Sequence, residues 1–193
     1  FQKNFLDAMV MMPNLIDEFF GNPTPSLVTV RCMPFHYEDK AVLIGDAAHA
    51  IVPFFGQGIN CGFEDCRIFM ELLSKAEAEN QNKDADVFGI VLKQFSEIRK
   101  PDTDTIANLA IANYAEMASK TTSAAFQLKR KMGLAINRLM PSLFMPLYSM
   151  ISFSNIPYSE AVRKADKQEK ILNAVLGGMT LMTLVGTCLG SYV

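Results

Sequence analysis

One short stretch of the chain combines a carboxylate, an imidazole and a glycine-rich turn: GDAAHAIVPFFGQGINCGFEDC, residues 45–66, directly after the apolar run AVLI. In α/β folds, a buried strand that ends in Gly-Asp and leads into a helix start presents a ligand at the carboxyl end of a sheet. Gly58 lets the backbone approach such a ligand closely, because it has no Cβ. The first-turn amides near Ile59 and Asn60 lack partners within the helix and favour negative charge. We therefore predict a ligand site formed by the Asp46 carboxylate and these amides.

The glycine spacing does not match the common phosphate-binding motifs. GQGINCG lacks the Gly-Lys-Ser/Thr ending of a Walker loop. Gly56, Gly58 and Gly62 follow GxGxxxG rather than GxGxxG, and no acidic residue follows a second strand about 20 residues later. Purely structural glycines are the usual explanation of a lone Gly pair, but they leave Gly-Asp, Pro53 and a helix start within 22 residues unexplained. The stretch therefore favours a ligand with more than a phosphate group.

Two histidines and four cysteines are the remaining groups with metal or redox chemistry. His49 could form a catalytic or metal-binding pair with Asp46, but no third ligand is spaced for a metal. We predict no metal site and assign His49 as a hydrogen-bonded structural residue. His36, in the turn PFHYEDK, is predicted at the surface. The cysteines match neither a zinc knuckle nor a dense disulfide framework and indicate reduced thiols in a cytosolic compartment: Cys32, Cys61, Cys66 and Cys188.

Hydrophobic periodicity indicates which elements must position these groups. Two strands are predicted at 27–33 and 40–46, the second of them buried. From Gly58 onward, apolar residues recur every three or four positions until a polar surface loop at 75–86. The helices predicted after that loop are 87–99, stopped by Pro101, then one restarting at Asp102 or Thr103, and finally 122–139 and 142–153, broken by prolines 141, 146 and 157.

The C-terminal residues 171–193 differ in kind, because they contain no Asp, Glu, Lys, Arg or His. A helix of this length is enough to cross a hydrocarbon core of roughly 30 Å at about 1.5 Å per residue. Residues 163–170, RKADKQEK, carry more basic than acidic side chains and favour a cytosolic flank. A buried core helix is the alternative, although such helices are usually shorter and amphipathic. We predict that 171–193 enter a lipid bilayer.

Charge and length restrict the class of protein. The 193 residues carry a formal net charge of −2, and the 18 Lys and Arg are dispersed, which excludes a basic stripe for nucleic acid. The chain opens on FQKNFLDAMV, without an initiator Met or a signal peptide. We therefore expect the C-terminal piece of a longer protein.

Gly-Asp followed by a Pro seven positions after the Asp resembles the second flavin-binding motif of the FAD-dependent aromatic hydroxylases. The resemblance implies that Asp46 holds a ribityl hydroxyl of FAD and that the amides of Ile59 and Asn60 face the pyrimidine edge of the flavin. Pro53 and Gly58 belong to the same implied cofactor site. Reduction leaves negative charge at that edge, so the helix-dipole argument and the family role agree.

FFGQGIN, NYAEM (113–117) and PLYSM (146–150) extend the resemblance to the kynurenine 3-monooxygenase branch of this family. It implies an enzyme that hydroxylates L-kynurenine with NADPH and O₂. Asn113 and Tyr148 would then bind the carboxylate and amino end of L-kynurenine, Phe54 its ring, and Met117 with Glu116 would line the pocket wall. Asn113, Glu116 and Met117 are also spaced to share one helix face. No catalytic acid or base is assigned.

The resemblance implies an α/β fold class: the C-terminal part of a Rossmann-like FAD domain with a substrate-domain strand, then an α-helical region and a membrane helix. It also implies the cytosolic face of the mitochondrial outer membrane, with the endoplasmic reticulum as the alternative. The chain alone, without the FAD-binding GxGxxG segment, is predicted to be inactive. The expected domains are 1–40 (end of the substrate-binding domain), 41–80 (FAD-binding domain), 81–168 (helical region lining the substrate pocket) and 169–193 (membrane anchor).

Two rival functions remain open. Another membrane-tethered flavin monooxygenase, acting on squalene or a quinone, would carry the same Gly-Asp-Pro motif. A lipid substrate requires an all-apolar pocket, however, whereas Asn113 and Tyr148 suit a zwitterion. A cofactor-free, membrane-tethered helical interaction module is the other rival, and it leaves residues 45–66 without a role.

Overall fold

Helices make up most of the described chain, and the sheet is limited to one short hairpin. The structure is a computed structural model, and it describes residues 3–79, 87–119, 124–139, 141 and 144–190. The elements in chain order are α1 (Leu6–Met11), α2 (Leu15–Gly21), β1 (His36–Tyr37), β2 (Ala41–Val42), α3 (Asp46–His49), a 3-10 turn (Pro53–Phe55), α4 (Gly58–Glu79), α5 (Val87–Ser119), α6 (Ala124–Leu139), α7 (Leu147–Phe153) and α8 (Tyr158–Gly190).

The strands are shorter than predicted. β1 and β2 pair antiparallel, with His36 opposite Val42, so only part of the predicted strand 40–46 is extended in a sheet. The predicted strand 27–33 is wrong, because this segment is irregular. The Val30 N–H donates to the Ala50 carbonyl at 2.9 Å and connects the segment to the residue after α3. A strand requires a neighbour along its length to satisfy its N–H and C=O groups. The described chain is therefore mainly α-helical, as predicted for its C-terminal region, and the sheet of the expected α/β part is limited to this hairpin.

His36 is not a surface residue, contrary to the prediction. It is half-buried on β1, and its Nδ1 lies 2.7 Å from the Ser96 Oγ of α5. Ser96 also accepts the Phe35 N–H at 3.1 Å and donates to the Leu92 carbonyl at 3.1 Å. The hairpin is thereby fixed to α5 through one buried hydroxyl.

Helix α5 continues through Pro101, where the sequence predicted a stop. A proline inside a helix removes one backbone hydrogen bond and costs about 3 kcal/mol. Phe95 before it and Ile106 after it are both fully buried, and burial of such side chains contributes about 1.5–3 kcal/mol each. A break at Pro101 would turn one of these side chains away from the core, so packing outweighs the local penalty.

Other boundaries follow the sequence more closely. α4 begins at Gly58 as predicted, but it runs on to Glu79, so the first part of the predicted loop 75–86 is helical and its remainder lies outside the described residues. α7 begins directly after Pro146, and α8 directly after Pro157. Each of these two helices therefore starts directly after a proline, which lacks an N–H and is tolerated at a helix start.

Two apolar clusters lie on either side of the 45–66 stretch. The first joins Phe35, Ala48 and Phe95 beneath the hairpin and α3. The second joins α4, α5, α7 and α8 through Cys61, Ile106, Met150, Ile151, Tyr158 and Ala161. Because Ala48 belongs to one cluster and Cys61 to the other, both ends of the stretch are anchored in the core.

The predicted membrane segment, 171–193, falls largely outside what the structure describes. α8 extends to Gly190, but its side chains are described only as far as Ala174, and 191–193 are not described. Among the described residues, no helix has the length and apolar character needed to span a membrane.

Candidate functional site

Asp46 begins the single-turn helix α3, and its side chain is exposed. Gly45, immediately before it, has φ 62° and ψ −140°, a mirror-image extended conformation that only glycine adopts without strain. Gly45 also lies against α4: a Cβ added at Gly62 would be 3.7 Å from the Gly45 Cα. The turn that carries the carboxylate therefore touches the helix whose N-terminus forms the other half of the predicted site.

The first turn of α4 offers backbone donors, as the sequence predicted. Cys61 is the first residue to bond back, from its N–H to the Gln57 carbonyl at 2.9 Å. The N–H groups of Gly58, Ile59 and Asn60 precede that bond and have no carbonyl to reach within the helix. A Cβ added at Gly58 would meet nothing within 4 Å, and the Ile59 side chain is 76% exposed. The side-chain surface of this turn is thus open, and its N–H groups lie at the positive end of a 22-residue helix.

The other predicted cofactor residue, Pro53, begins the 3-10 turn and is exposed. Gly56 ends that turn in the left-handed conformation at φ 68°. This backbone conformation by itself favours glycine at position 56, apart from any close approach of a ligand.

His49 is buried at the end of α3, and its Nε2 donates to Asp65 Oδ2 at 2.5 Å. This confirms the prediction of a hydrogen-bonded structural histidine. Asp65 accepts the Gly45 N–H on the same oxygen at 2.9 Å, and Arg99 Nε on its other oxygen at 2.7 Å. Arg99 is 1% exposed and also donates to the Cys61 carbonyl at 3.3 Å. Asp65 and Arg99 were not predicted as site residues.

The charges in this cluster stabilise one another. Burial by itself would lower the pKa of His49, but hydrogen bonding to Asp65 and the neighbouring Cys61 outweigh burial and raise the pKa to about 9. Burial would likewise raise the pKa of Asp65, but hydrogen bonds from His49 and Gly45 and the charge of Arg99 hold that pKa below its usual value. At neutral pH the cluster therefore holds an imidazolium, a carboxylate and a guanidinium.

His49 does have further potential metal ligands nearby, although the sequence spacing indicated no third ligand. Cys61 and Asp65 do bring two further ligand atoms near His49, all within 4.8 Å of one another. However, Arg99 lies 2.7 Å from an Asp65 oxygen and 3.4 Å from the Cys61 sulfur. This carboxylate is already neutralised by a guanidinium, and a divalent cation would be repelled. Cys32, Cys61 and Cys66 are free thiols, as predicted, and the Cys188 side chain lies outside the described residues.

The predicted substrate residues gather around the 3-10 turn. Asn113 of α5 donates from Nδ2 to the Phe54 carbonyl at 2.6 Å, and the same nitrogen lies 3.7 Å from the Met117 sulfur. The ring of Phe55 lies 5.9 Å from that of Tyr148 on α7. Tyr148 is 59% exposed and Met117 57% exposed. The turn thus places Asn113 and Tyr148 on either side of two phenylalanines.

Glu116, the fifth predicted substrate residue, is half-buried one turn further along α5. The ring of Phe54 packs on Tyr114 with 4.5 Å between ring centres. Tyr114 was not predicted, although it lies within the NYAEM motif.

One cleft of the described chain lies apart from these residues. Its volume is about 450 Å³, and Asn60 is the predicted site residue that lines it. Its walls are the first turns of α4 and the α7–α8 connection, including Gln57, Glu64, Arg67 and residues 151–158. Asn113 and Tyr148 do not line the cleft, so the predicted substrate residues and this cleft are separate features of the described chain.

Comparison with known proteins places the chain in a family. A family model described as squalene epoxidase matches residues 10–134. Kynurenine 3-monooxygenase from Flavobacterium johnsoniae is 42% identical over 176 residues, which cover 91% of this chain and 38% of that protein. The Sus scrofa protein of the same name is 42% identical over 91% of this chain and 36% of its own length, and that of Caenorhabditis elegans is 37% identical over 100% and 41%.

The chain therefore spans about two fifths of the length of these relatives. Their names agree with the resemblance that FFGQGIN, NYAEM and PLYSM indicate. The chain belongs to the family of flavin hydroxylases that the squalene epoxidase model describes, and within it is similar to the kynurenine 3-monooxygenases over nearly its whole length.

Proposed function

We propose that the full-length protein is an FAD-dependent, NADPH-consuming monooxygenase that hydroxylates L-kynurenine to 3-hydroxykynurenine. The observation that carries this proposal is the juxtaposition of an exposed Asp46 carboxylate with the open first-turn amides of α4, on elements that touch at Gly45 and Gly62. The names of the relatives support the substrate.

The described residues fit the ribityl and pyrimidine parts of a flavin. Asp46 can accept a hydrogen bond from a ribityl hydroxyl, and the amides of Ile59 and Asn60 can donate to the pyrimidine oxygens. FAD, once reduced by NADPH, supplies the chemistry that activates O₂. The amides stabilise negative charge on the cofactor because they are fixed in direction before that charge develops. Pro53 and Gly58 shape the backbone beside it.

The orientation of Asn113 indicates which end of an amino-acid substrate it meets. The Phe54 carbonyl can only accept, so the Asn113 amide must turn its NH₂ group toward it. Its oxygen is then left for a donor, such as the ammonium group of L-kynurenine. The Tyr148 hydroxyl, beyond Phe55, is a donor suited to the substrate carboxylate.

The aromatic and thioether side chains of the same wall suit the substrate ring. Phe54 and Met117 are apolar neighbours of Asn113, and stacking on a ring is a favourable contact of Phe. Phe54 and Phe55 would also exclude water from the reacting atoms, which a flavin monooxygenase needs. Glu116 is assigned to the pocket wall without a role in proton transfer.

Attachment to a lipid bilayer is a further part of the proposal. Residues 171–193 contain no ionisable side chain and follow the basic segment 163–170, which is the pattern of a membrane helix with a cytosolic flank. We assign the cytosolic face of the mitochondrial outer membrane, with the endoplasmic reticulum as the alternative. Fractionation of cells that express the full-length protein, with and without 171–193, tests both the anchor and the organelle.

The activity is tested with purified full-length protein. NADPH oxidation should be stimulated by L-kynurenine and not by a lipid phenol, and 3-hydroxykynurenine should accumulate. Stimulation by the lipid phenol instead would favour the squalene- or quinone-type alternative.

The cofactor site is tested with Asp46→Ala, which should weaken FAD binding about ten- to a hundredfold, the value of a hydrogen bond to a charged group. Asp39→Ala, which removes another exposed carboxylate seven residues earlier, serves as the control and should retain full flavin content. Equal flavin content in the two variants would contradict the assignment of Asp46.

A further inference from the structure

We propose that Asp65, anchored by Arg99, is a positioning residue for FAD that fixes the Asp46 carboxylate relative to the first-turn amides of α4. The inference rests on the proposed function, because it assigns a role toward the same cofactor. Asp65 does not itself face the ligand, since it is fully buried. Its effect on the cofactor must therefore pass through the groups that it holds.

One oxygen of Asp65 holds both ends of the segment that carries Asp46. Oδ2 accepts the Gly45 N–H at 2.9 Å and the His49 Nε2–H at 2.5 Å. Gly45 precedes Asp46 and His49 follows it three residues later, so the bonds bracket the carboxylate. The same segment is closed internally by Ala48 and His49 N–H groups on the Gly45 carbonyl, each at 2.9 Å. With both ends fixed to one atom, α3 has little freedom to move along α4.

The other oxygen of Asp65 connects this bracket to the helix start. Oδ1 accepts Arg99 Nε at 2.7 Å, and the Arg99 Nη2 donates to the Cys61 carbonyl at 3.3 Å. Cys61 is the residue that closes the first turn of α4 through its N–H on Gln57. One carboxylate and one guanidinium therefore link the Asp46 turn to the turn that presents the amides of Ile59 and Asn60.

The charge of the cluster fits a role in geometry better than a role in stability alone. Ions that are removed from water lose hydration, and apolar side chains of similar volume often stabilise a core equally well or better. The directional bonds of a carboxylate and a planar guanidinium fix distances that apolar contacts leave adjustable. Asp65 and Cys61 keep His49 protonated at neutral pH. Both of its ring nitrogens are then donors, and neither can accept a hydrogen bond.

The test compares two replacements of His49 in the full-length protein. His49→Gln keeps an N–H donor within reach of Asp65, whereas His49→Leu removes the donor at similar volume. We expect His49→Leu to raise the FAD dissociation constant about ten- to a hundredfold, and to alter the visible circular dichroism of bound flavin. His49→Gln should stay within about threefold of the wild type.

A control on the same helix separates this effect from general loss of charge. Glu71→Gln breaks an exposed ion pair with Arg67 (2.7 Å), six residues beyond Asp65 on α4, and should leave FAD binding unchanged. Asp65→Asn should behave as His49→Leu does, because an amide has one acceptor oxygen and cannot accept from Arg99 on one side and from Gly45 and His49 on the other. If His49→Leu does not fold, His49→Asn takes its place, since its side chain is too short to reach Asp65.

The outcomes separate this inference from the proposed function. A full-length wild-type protein that binds no FAD would overturn both. Wild-type protein that binds FAD, together with folded His49→Leu and Asp65→Asn variants of unchanged flavin affinity and circular dichroism, would overturn only the role of Asp65.

Discussion

Replacing Gly45 with Ala tests whether the backbone before Asp46 depends on glycine. Gly45 has φ 62° and ψ −140°, where an L-residue with a Cβ is strained by about 1–3 kcal/mol. Space is not the obstacle, because the added Cβ would lie 3.9 Å from the Gly62 Cα, an ordinary contact. The entire cost therefore comes from the dihedral angles.

Gly62→Ala is the matched control, since the same two glycines face each other. Its Cβ would lie 3.7 Å from the Gly45 Cα, and Gly62 is inside a helix, where Ala is favoured over Gly by about 0.8–1 kcal/mol. Gly62→Ala should be neutral or stabilising, so the free energies of unfolding of the two variants should differ by about 2–4 kcal/mol.

Both variants are measured in the full-length protein by urea unfolding and FAD titration. If Gly45→Ala relieves its strain by moving Asp46, FAD affinity falls by about 5- to 150-fold, which corresponds to the same 1–3 kcal/mol. Equal stability of Gly45→Ala and Gly62→Ala would contradict a strain specific to Gly45, because the contacts on the two sides are alike.

Three further predictions test other parts of the molecule. Tyr148→Phe should raise KM for L-kynurenine with little change in kcat, at a cost of about 1–3 kcal/mol for a lost charged hydrogen bond; an unchanged KM would favour a packing role. The folded-state pKa of His49, about 9, lies above the unfolded value of about 6.5, so its stabilising contribution is complete below pH 6.5 and is lost as the pH rises through 9. The difference in free energy of unfolding between wild type and His49→Gln should accordingly shrink over that range in urea titrations, and a constant difference would contradict the ion pair with Asp65. Pro101→Ala should stabilise the protein by about 1–2 kcal/mol, because the recovered helix bond outweighs the greater freedom of the unfolded chain; a lower urea midpoint would show that α5 needs the proline.

Local patterns in the sequence predicted those features that nearby residues decide. The start of α4 at Gly58 and the helix boundaries at Pro146 and Pro157 follow from backbone rules that act within a few positions. The bonded role of His49 could be inferred because its partner Asp65 lies in the same stretch. That partner could also have been recognised: Asp65 follows Cys61 by four positions on the buried face of the helix, where a carboxylate requires a counter-charge.

Other features of this protein depend on contacts between residues that are distant in the sequence. The Gly-Asp-Pro motif and the donor turn that follows it could be recognised without the structure, because both are local. Nothing in the sequence indicated that Arg99, 34 positions away, would supply the charge for Asp65, or that the carbonyl of Phe54 would orient Asn113, 59 positions later. Local propensity also predicted a helix end at Pro101 and a strand at 27–33. Propensity does not record that buried side chains lie on both sides of the proline, or that 27–33 lack a neighbouring strand in the described chain. Packing between α3, α4 and α5 decides these points, since burial and directional bonds outweigh propensities of about 1 kcal/mol per residue.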